Sequence, residues 1–301
     1  LSSDGITTIV LSYKSQSNVI GAVRSLLDQN EPTEIVVVNS GGGSVRDLLR
    51  AEGIQVPCLD YEDRLFVGGA RNRGIAETTA RYVAFLAADC RARPNWIKRR
   101  LKAHRAGARA VASAIVNDAP QSRVASAAHL CMFMNRLPRL PADRAIRFGA
   151  SYERSLFAEF GQFDESLRSG EDTEFLQRLP AELRPAWDGG IQTEHLNETR
   201  FLPLVWDQFC RGVRYSEERQ QLFGARKIKI AKEIIRQAPQ ALDFAREGLE
   251  GDELATAMRA MPILKTALMA RAAGALLSDL LPSDLGTERT TDSRKAAHDN
   301  P

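Results

Sequence analysis

The sequence predicts an α/β fold: a mixed, mainly parallel sheet flanked by helices, with a helical extension at the C-terminal end. Three observations carry this expectation. β-branched runs alternate with helix-spaced segments over roughly the first hundred residues, the pattern of βα units feeding a parallel sheet. Polar or glycine-rich loops follow these runs at their carboxyl ends, where open α/β sheets bind ligands. The 301 residues, 44% hydrophobic and 26% charged, suffice for one large α/β domain and an accessory piece.

In chain order, Thr7-Thr8-Ile9-Val10-Leu11 is a strand that runs out into Ser12-Tyr13-Lys14, and Val19, Ile20, Val23, Leu26 and Leu27 have helical spacing. Glu34 to Val38 is a second strand, followed by Asn39-Ser40-Gly41-Gly42-Gly43 and a helix from Ser44 to Ala51. The glycine loop invites a phosphate-cradle reading, but it lacks the Walker lysine and the GxGxxG spacing, so a permissive turn is the better expectation. Ile54 to Leu59 is a short third strand. Gly68-Gly69-Ala70-Arg71-Asn72-Arg73-Gly74-Ile75 reads as a glycine turn and a short helix, and Ala84 to Ala88 as a buried strand ending at Asp89. Pro94-Asn95-Trp96 opens a basic helix, and Ala110 to Val116 is another strand. The segment 117–147, rich in proline and arginine, has no legible regular structure and is expected to be a lid or acceptor loop.

Composition excludes several function classes. A net charge of +3 is too small for a nucleic-acid partner, which calls for a clustered basic face. The four cysteines lie far apart without metal-finger spacing, which fits a reduced, cytoplasmic compartment. No apolar run reaches the roughly 18 to 20 residues that span a bilayer.

Three sets of residues point to chemistry. A lone Asp89 at a strand's carboxyl end is a ligand-site candidate, although a polar turn explains it equally simply. Glu171 and Asp172 follow Gly170 at the start of a helix; there they either compensate the helix dipole or supply a general base. His195 is the one histidine flanked by acidic residues, in Glu194-His195-Leu196-Asn197-Glu198.

Taken together these segments resemble the inverting family-2 glycosyltransferases of the Rossmann-like GT-A fold. The resemblance rests on motifs in order: Ile9-Val10-Leu11-Ser12-Tyr13-Lys14, Ile35-Val36-Val37-Val38-Asn39-Ser40-Gly41, Gly69-Ala70-Arg71-Asn72-Arg73-Gly74, Phe85-Leu86-Ala87-Ala88-Asp89, Phe163-Asp164-Glu165, and Gly170-Glu171-Asp172 with Arg178. It covers roughly residues 6 to 215 and implies transfer from a nucleotide-sugar donor to a saccharide or lipid-linked acceptor. By resemblance, Ser12, Tyr13, Asn39, Arg71, Asn72 and Asp89 bind the nucleotide sugar, Asp89 and His195 hold Mg2+ or Mn2+, and Asp172 is the base with Glu171 as its near alternative. Two positions depart from the family. Ala87 stands where an Asp-x-Asp motif has its first carboxylate, and Asn39 stands where an acidic residue usually reads the base. The first departure keeps open a non-catalytic sugar-nucleotide-binding or scaffold protein as an alternative.

The expected organisation is a transferase domain over 1–225, a helical extension over 226–282 and a disordered tail over 283–301. In the extension, Met258, Met261, Leu264, Leu268, Leu276 and Leu277 interleave with Arg259, Lys265 and Arg271. Such a helix either lies in a membrane interface, giving a peripheral contact at the inner face of the membrane, or packs as a hairpin on a core.

Overall fold

The computed structural model describes residues 5–147 and 151–281, so the expected tail lies outside the described residues. Its sheet has eight strands: β1 (Ile6–Tyr13), β2 (Glu34–Ser40), β3 (Cys58–Asp60), β4 (Tyr82–Ala87), β5 (Cys90–Ala92), β6 (Ala110–Asn117), β7 (Ser151–Glu153) and β8 (Ala186–His195), in the order β3-β2-β1-β4-β7-β6-β8-β5. The first four run parallel, while β4 pairs with β7, β7 with β6, and β8 with β5 antiparallel. The mixed sheet flanked by helices is thus the arrangement the sequence predicts.

Alternation along each strand builds the two faces of the core. Ile6 and Val10 of β1 pack on one side with Val37, Ala84 and Val19, Val23 and Leu26 of α1 (Asn18–Leu27). Ile9 packs on the other with Val36, Val38, Phe85 and Phe163. α2 (Val45–Ala51) is capped by Ser44, whose hydroxyl accepts from the Asp47 amide. The third strand starts at Cys58 rather than Ile54, because Pro57 has no amide to give and the ladder to Val37 begins after it. α3 (Val67–Ala76) takes in its glycines as helix residues rather than as a preceding turn. They are there for close approach: a Cβ on Gly68 would come 2.5 Å from the Asp164 carbonyl, and one on Gly74 would strike Ile9 of β1.

A buried polar network lies behind the sheet on α4 (Trp96–Arg105). The Arg100 guanidinium, 3.9 Å over Trp96, donates to the Val111 carbonyl and to the Ser113 and Ser151 hydroxyls. His104 stacks on Tyr82, with Nδ1 2.7 Å from the Ala108 carbonyl and Nε2 2.9 Å from Ser151 Oγ. A ring nitrogen that close to a carbonyl carries the proton, and in the neutral ring Nε2 then accepts from Ser151. Burial pushes the pKa of His104 down to about 4.

The chain divides into two compact units, one running up to Val116 and including Pro141–His195, the other formed by Asn117–Leu140 and the described chain from Leu196. The sequence expectation puts 1–225 in one transferase domain; in these units 117–140 and 196–225 group with the later helices. Within 117–140, α5 (Arg123–Phe133) starts at Ser122, whose hydroxyl accepts from the Ala125 amide. The second unit also holds α8 (Phe201–Phe223), α9 (Lys227–Gly248), α10 (Gly251–Arg259) and α11 (Met261–Leu276), while α6 (Ser155–Phe160) and α7 (Glu171–Arg178) belong to the first. α11 packs rather than lying free: Leu264, Ala267, Leu268 and Ala275 are buried, and Arg271 donates to the Cys131 carbonyl. Gly212 and Gly274 let α8 and α11 meet backbone to backbone, since a Cβ on either would strike a carbonyl of the other helix. Of the two expectations for the extension over 226–282, packing on a core is the one observed for α11. Among the described residues no helix is long and apolar enough to cross a membrane.

Candidate active site

Strand register decides which residues share an edge. Ser12 lies opposite Asn39, Leu11 lies opposite Ala87, and the Ala88 amide donates to the Leu11 carbonyl. Asp89 therefore stands just past the carboxyl ends of the central strands, in the two-residue turn into β5. β8 returns antiparallel to β5 and pairs His195 with Cys90. That brings His195 Nε2 to 3.6 Å from Asp89 Oδ2, with both side chains partly exposed. A carboxylate and an imidazole on a sheet edge are a donor pair for a divalent cation. Asp89, Cys90 and His195 are the one set of three such groups among the described residues whose ligand atoms all lie within 4.8 Å of one another.

At the ends of β1 and β2, the Ser12 hydroxyl is buried without a hydrogen-bond partner in the protein. Tyr13 lies against Gly41, where a Cβ would come within 2.5 Å of its ring. The Arg64 guanidinium is 5.4 Å and the Lys14 ammonium 5.6 Å from the centre of the same ring. The sequence expectation missed Arg64, which sits in a charged loop with nothing to single it out.

Asn39 is fully buried. Its Oδ1 accepts from the Ser15 amide at 2.9 Å, and its Nδ2 lies within hydrogen-bond reach of Ser15 Oγ, the Gly42 and Gly43 carbonyls and Asp60 Oδ1. The expected base-reading amide is thus turned inward, tying together two loops whose residues Lys14, Ser15, Gly41, Gly42 and Gly43 have positive φ. The Gly41 and Gly42 amides also donate inward, to the Asp63 and Tyr61 carbonyls, so the glycine loop is a turn and not an amide cradle. Asp60, at the end of β3, could have been found by the rule that singled out Asp89.

α3 is the hub of the remaining motifs. Arg71 forms a two-pronged ion pair with Asp172 and lies 3.1 Å from Glu171. Its guanidinium also sits over Phe85 and Phe163 at about 5 Å. Burial alone would lower the Arg71 pKa, but Asp172 and Glu171 outweigh it and hold the group above its ordinary value. Glu171 is 8% exposed at its side chain and Asp172 19%, so Asp172 is the carboxylate with an open side. Asn72 donates to the Phe163 carbonyl and Glu165 and accepts from the Phe163 amide, which pins the Phe163-Asp164-Glu165 turn. The side chains of Arg71 and Asn72, expected to meet the nucleotide sugar, are held by these motif partners.

Comparisons with known proteins give the family and the fold. Residues 7–158 match the family described as Glycosyl transferase family 2. A curated relative, the succinoglycan biosynthesis protein ExoO of Rhizobium meliloti, is 29% identical over 190 residues, 56% of this chain and 53% of the relative. The chain thus spans about half the length of that relative. Among solved structures, the mannosyltransferase PcManGT from Pyrobaculum calidifontis, in complex with GDP-Man and Mn2+, is similar with a TM-score of 0.54 at 16% identity, covering 91% of this chain and 86% of that one. The S. aureus TarS fragment 1-349 in complex with UDP-GlcNAc has a TM-score of 0.50 at 15% identity, covering 91% and 92%. At such identities these two show the fold.

Proposed function

The chain belongs to glycosyl transferase family 2, and on that premise we propose that it moves a sugar from a nucleotide diphosphate donor to an acceptor hydroxyl with inversion, assisted by a divalent cation. The observation that carries the reading is the Asp89–His195 pair on the carboxyl edge of the sheet. A divalent ion, Mg2+ or Mn2+, would be held there and would act as a Lewis acid on the leaving diphosphate.

The protein's own part is division of labour. Ser12 and Tyr13 receive the base and ribose, and Asn39 acts one layer down by fixing the loops that carry them. Asp172 takes the proton from the acceptor hydroxyl. Arg71 orients that carboxylate, while Glu171 on the same guanidinium is the more deeply buried of the two, so Asp172 rather than Glu171 is the base. Asn72 acts through the turn it pins.

The acceptor is a saccharide or a lipid-linked saccharide of a cell-envelope polysaccharide, met on the cytoplasmic side of the membrane. Support for a peripheral membrane contact comes from α9. Ile228 and Ile235, 65% and 53% exposed, share its outer face with the exposed Lys229, Lys232 and Arg236, a cationic and apolar surface suited to anionic lipid. Calorimetric titration of UDP, GDP and dTDP with and without Mn2+ tests the donor class. A nucleoside diphosphate should bind, more tightly with the cation, and Asp89→Ala should abolish the difference. Equal binding with and without Mn2+ in the wild type removes the cation from the reading.

A further inference from the structure

The Asp89–His195 pair has a third neighbour of different chemistry. Cys90 opens β5 directly opposite His195, and directly paired residues on adjacent strands point to the same face of a sheet. Asp89 stands between the two: its Oδ1 is 3.7 Å from the Cys90 thiol and its Oδ2 is 3.6 Å from His195 Nε2. Ligand atoms held at 2.0 to 2.3 Å around a tetrahedral ion stand roughly 3.3 to 3.8 Å from one another. Each Asp89 oxygen thus already stands at about that length from one partner, and with one ligand atom taken from each residue the whole set lies within 4.8 Å, so gathering the three around one ion requires roughly 1 to 1.5 Å of side-chain movement.

We propose that Cys90 is a third protein ligand of the cation at Asp89 and His195, making a sulfur, nitrogen and oxygen site that prefers Co2+ and Zn2+ to Mn2+, and Mn2+ to Mg2+. The proposal rests on the reading that Asp89 and His195 hold a cation. Ala87 removes a carboxylate from this edge, so the oxygen-rich set that suits Mg2+ is incomplete, and thiolate and imidazole are the donors that favour softer ions. Cys90 is buried and forms the floor, whereas Asp89 and His195 keep 35% and 18% of their side chains exposed. Three protein ligands with an open outer side are the layout of a catalytic site rather than of a closed structural one. Diphosphate oxygens of the donor have room to complete it.

Cobalt titration of the purified full chain tests this by absorption. The wild type should develop d–d bands together with a thiolate-to-cobalt charge-transfer band. Cys90→Ser should lose the charge-transfer band, keep d–d bands, and bind Co2+ at least about tenfold more weakly, since even changes outside the ligand shell cost roughly 10- to 100-fold. X-ray absorption of the zinc-loaded wild type should show one sulfur at about 2.3 Å, a readout that stands even where the Cys90 variants fail to fold. Cobalt bound with no charge-transfer band, or a band that survives in Cys90→Ser, overturns the thiol ligand while leaving the Asp89–His195 reading intact. Failure of the wild type to bind cobalt or zinc, with or without UDP, overturns both.

Discussion

Replacing Asn39 by Asp restores the residue type usual for the family at this position, yet the surroundings of Asn39 make it a damaging change here. The new carboxylate oxygen would stand where Nδ2 does now, 3.2 Å from Asp60 Oδ1 and facing the Gly42 and Gly43 carbonyls. Two unit charges that close at an effective dielectric of 20 repel by about 5 kcal/mol. Solvent at the exposed Asp60 and uptake of a shared proton reduce this to roughly 2 to 3 kcal/mol. The two glycine carbonyls lose their donor, which adds about 1 to 2 kcal/mol. Asn39→Asp should therefore lose about 3 to 5 kcal/mol in urea unfolding at pH 7 and bind nucleotide more weakly as the Ser15 loop loosens. The shared proton raises a carboxyl pKa in the folded state, so the folded variant binds more protons than the unfolded one, and its deficit should shrink as pH falls from 7 toward 5. Adding Asp60→Asn puts a donor back opposite the carboxylate and should recover about 2 kcal/mol. An Asn39→Asp protein as stable as wild type, or a double variant no better than the single one, would refute the reasoning.

Three further outcomes follow from the geometry. His104 is neutral when folded, with a pKa of about 4 against 6.5; stability should be full above pH 6.5 and fall by up to about 3 kcal/mol as pH drops toward 4, and His104→Gln should flatten that slope in pH-dependent melting. Gly274→Val drives a side chain into the Phe209 carbonyl and should cost about 3 kcal/mol or more, lowering helical content on mild heating, whereas a helix lying free at a membrane would tolerate it. Replacing Lys229, Lys232 and Arg236 of α9 by Gln should leave folding unchanged and weaken sedimentation with anionic vesicles by about 3 kcal/mol, since each basic residue near such a surface contributes about 1 kcal/mol; unchanged sedimentation would remove α9 as the contact.

The parallel strands and the placing of Asp89 were legible because a buried strand writes itself as a β-branched run and its end as a polar break. α5 was not legible, since Ala125 through Cys131 are all buried, leaving no apolar face to give a period. The motifs could be read in order, but not their mutual engagement. Arg71 meets Asp172 across 101 residues of chain and Asn72 meets Phe163 across 91, contacts that only folding creates. Cysteine spacing along the chain likewise hides Cys90, because the ladder that pairs it with His195 joins distant segments. The inward hydrogen bonds of Asn39 were illegible for a related reason: its surroundings are two loops with left-handed residues that sequence leaves unplaced.

The central claim is sugar transfer with Asp172 as the base, and Asp172→Asn addresses it most directly when donor binding and turnover are measured on the same preparation. Asn keeps the size of the side chain and an oxygen for Arg71, but it cannot take the hydroxyl proton. Donor affinity should stay within a few-fold of wild type while turnover falls by roughly a hundredfold to ten-thousandfold. Turnover equal to wild type would contradict the account and leave Asp172 as a helix N-terminal partner of Arg71 alone.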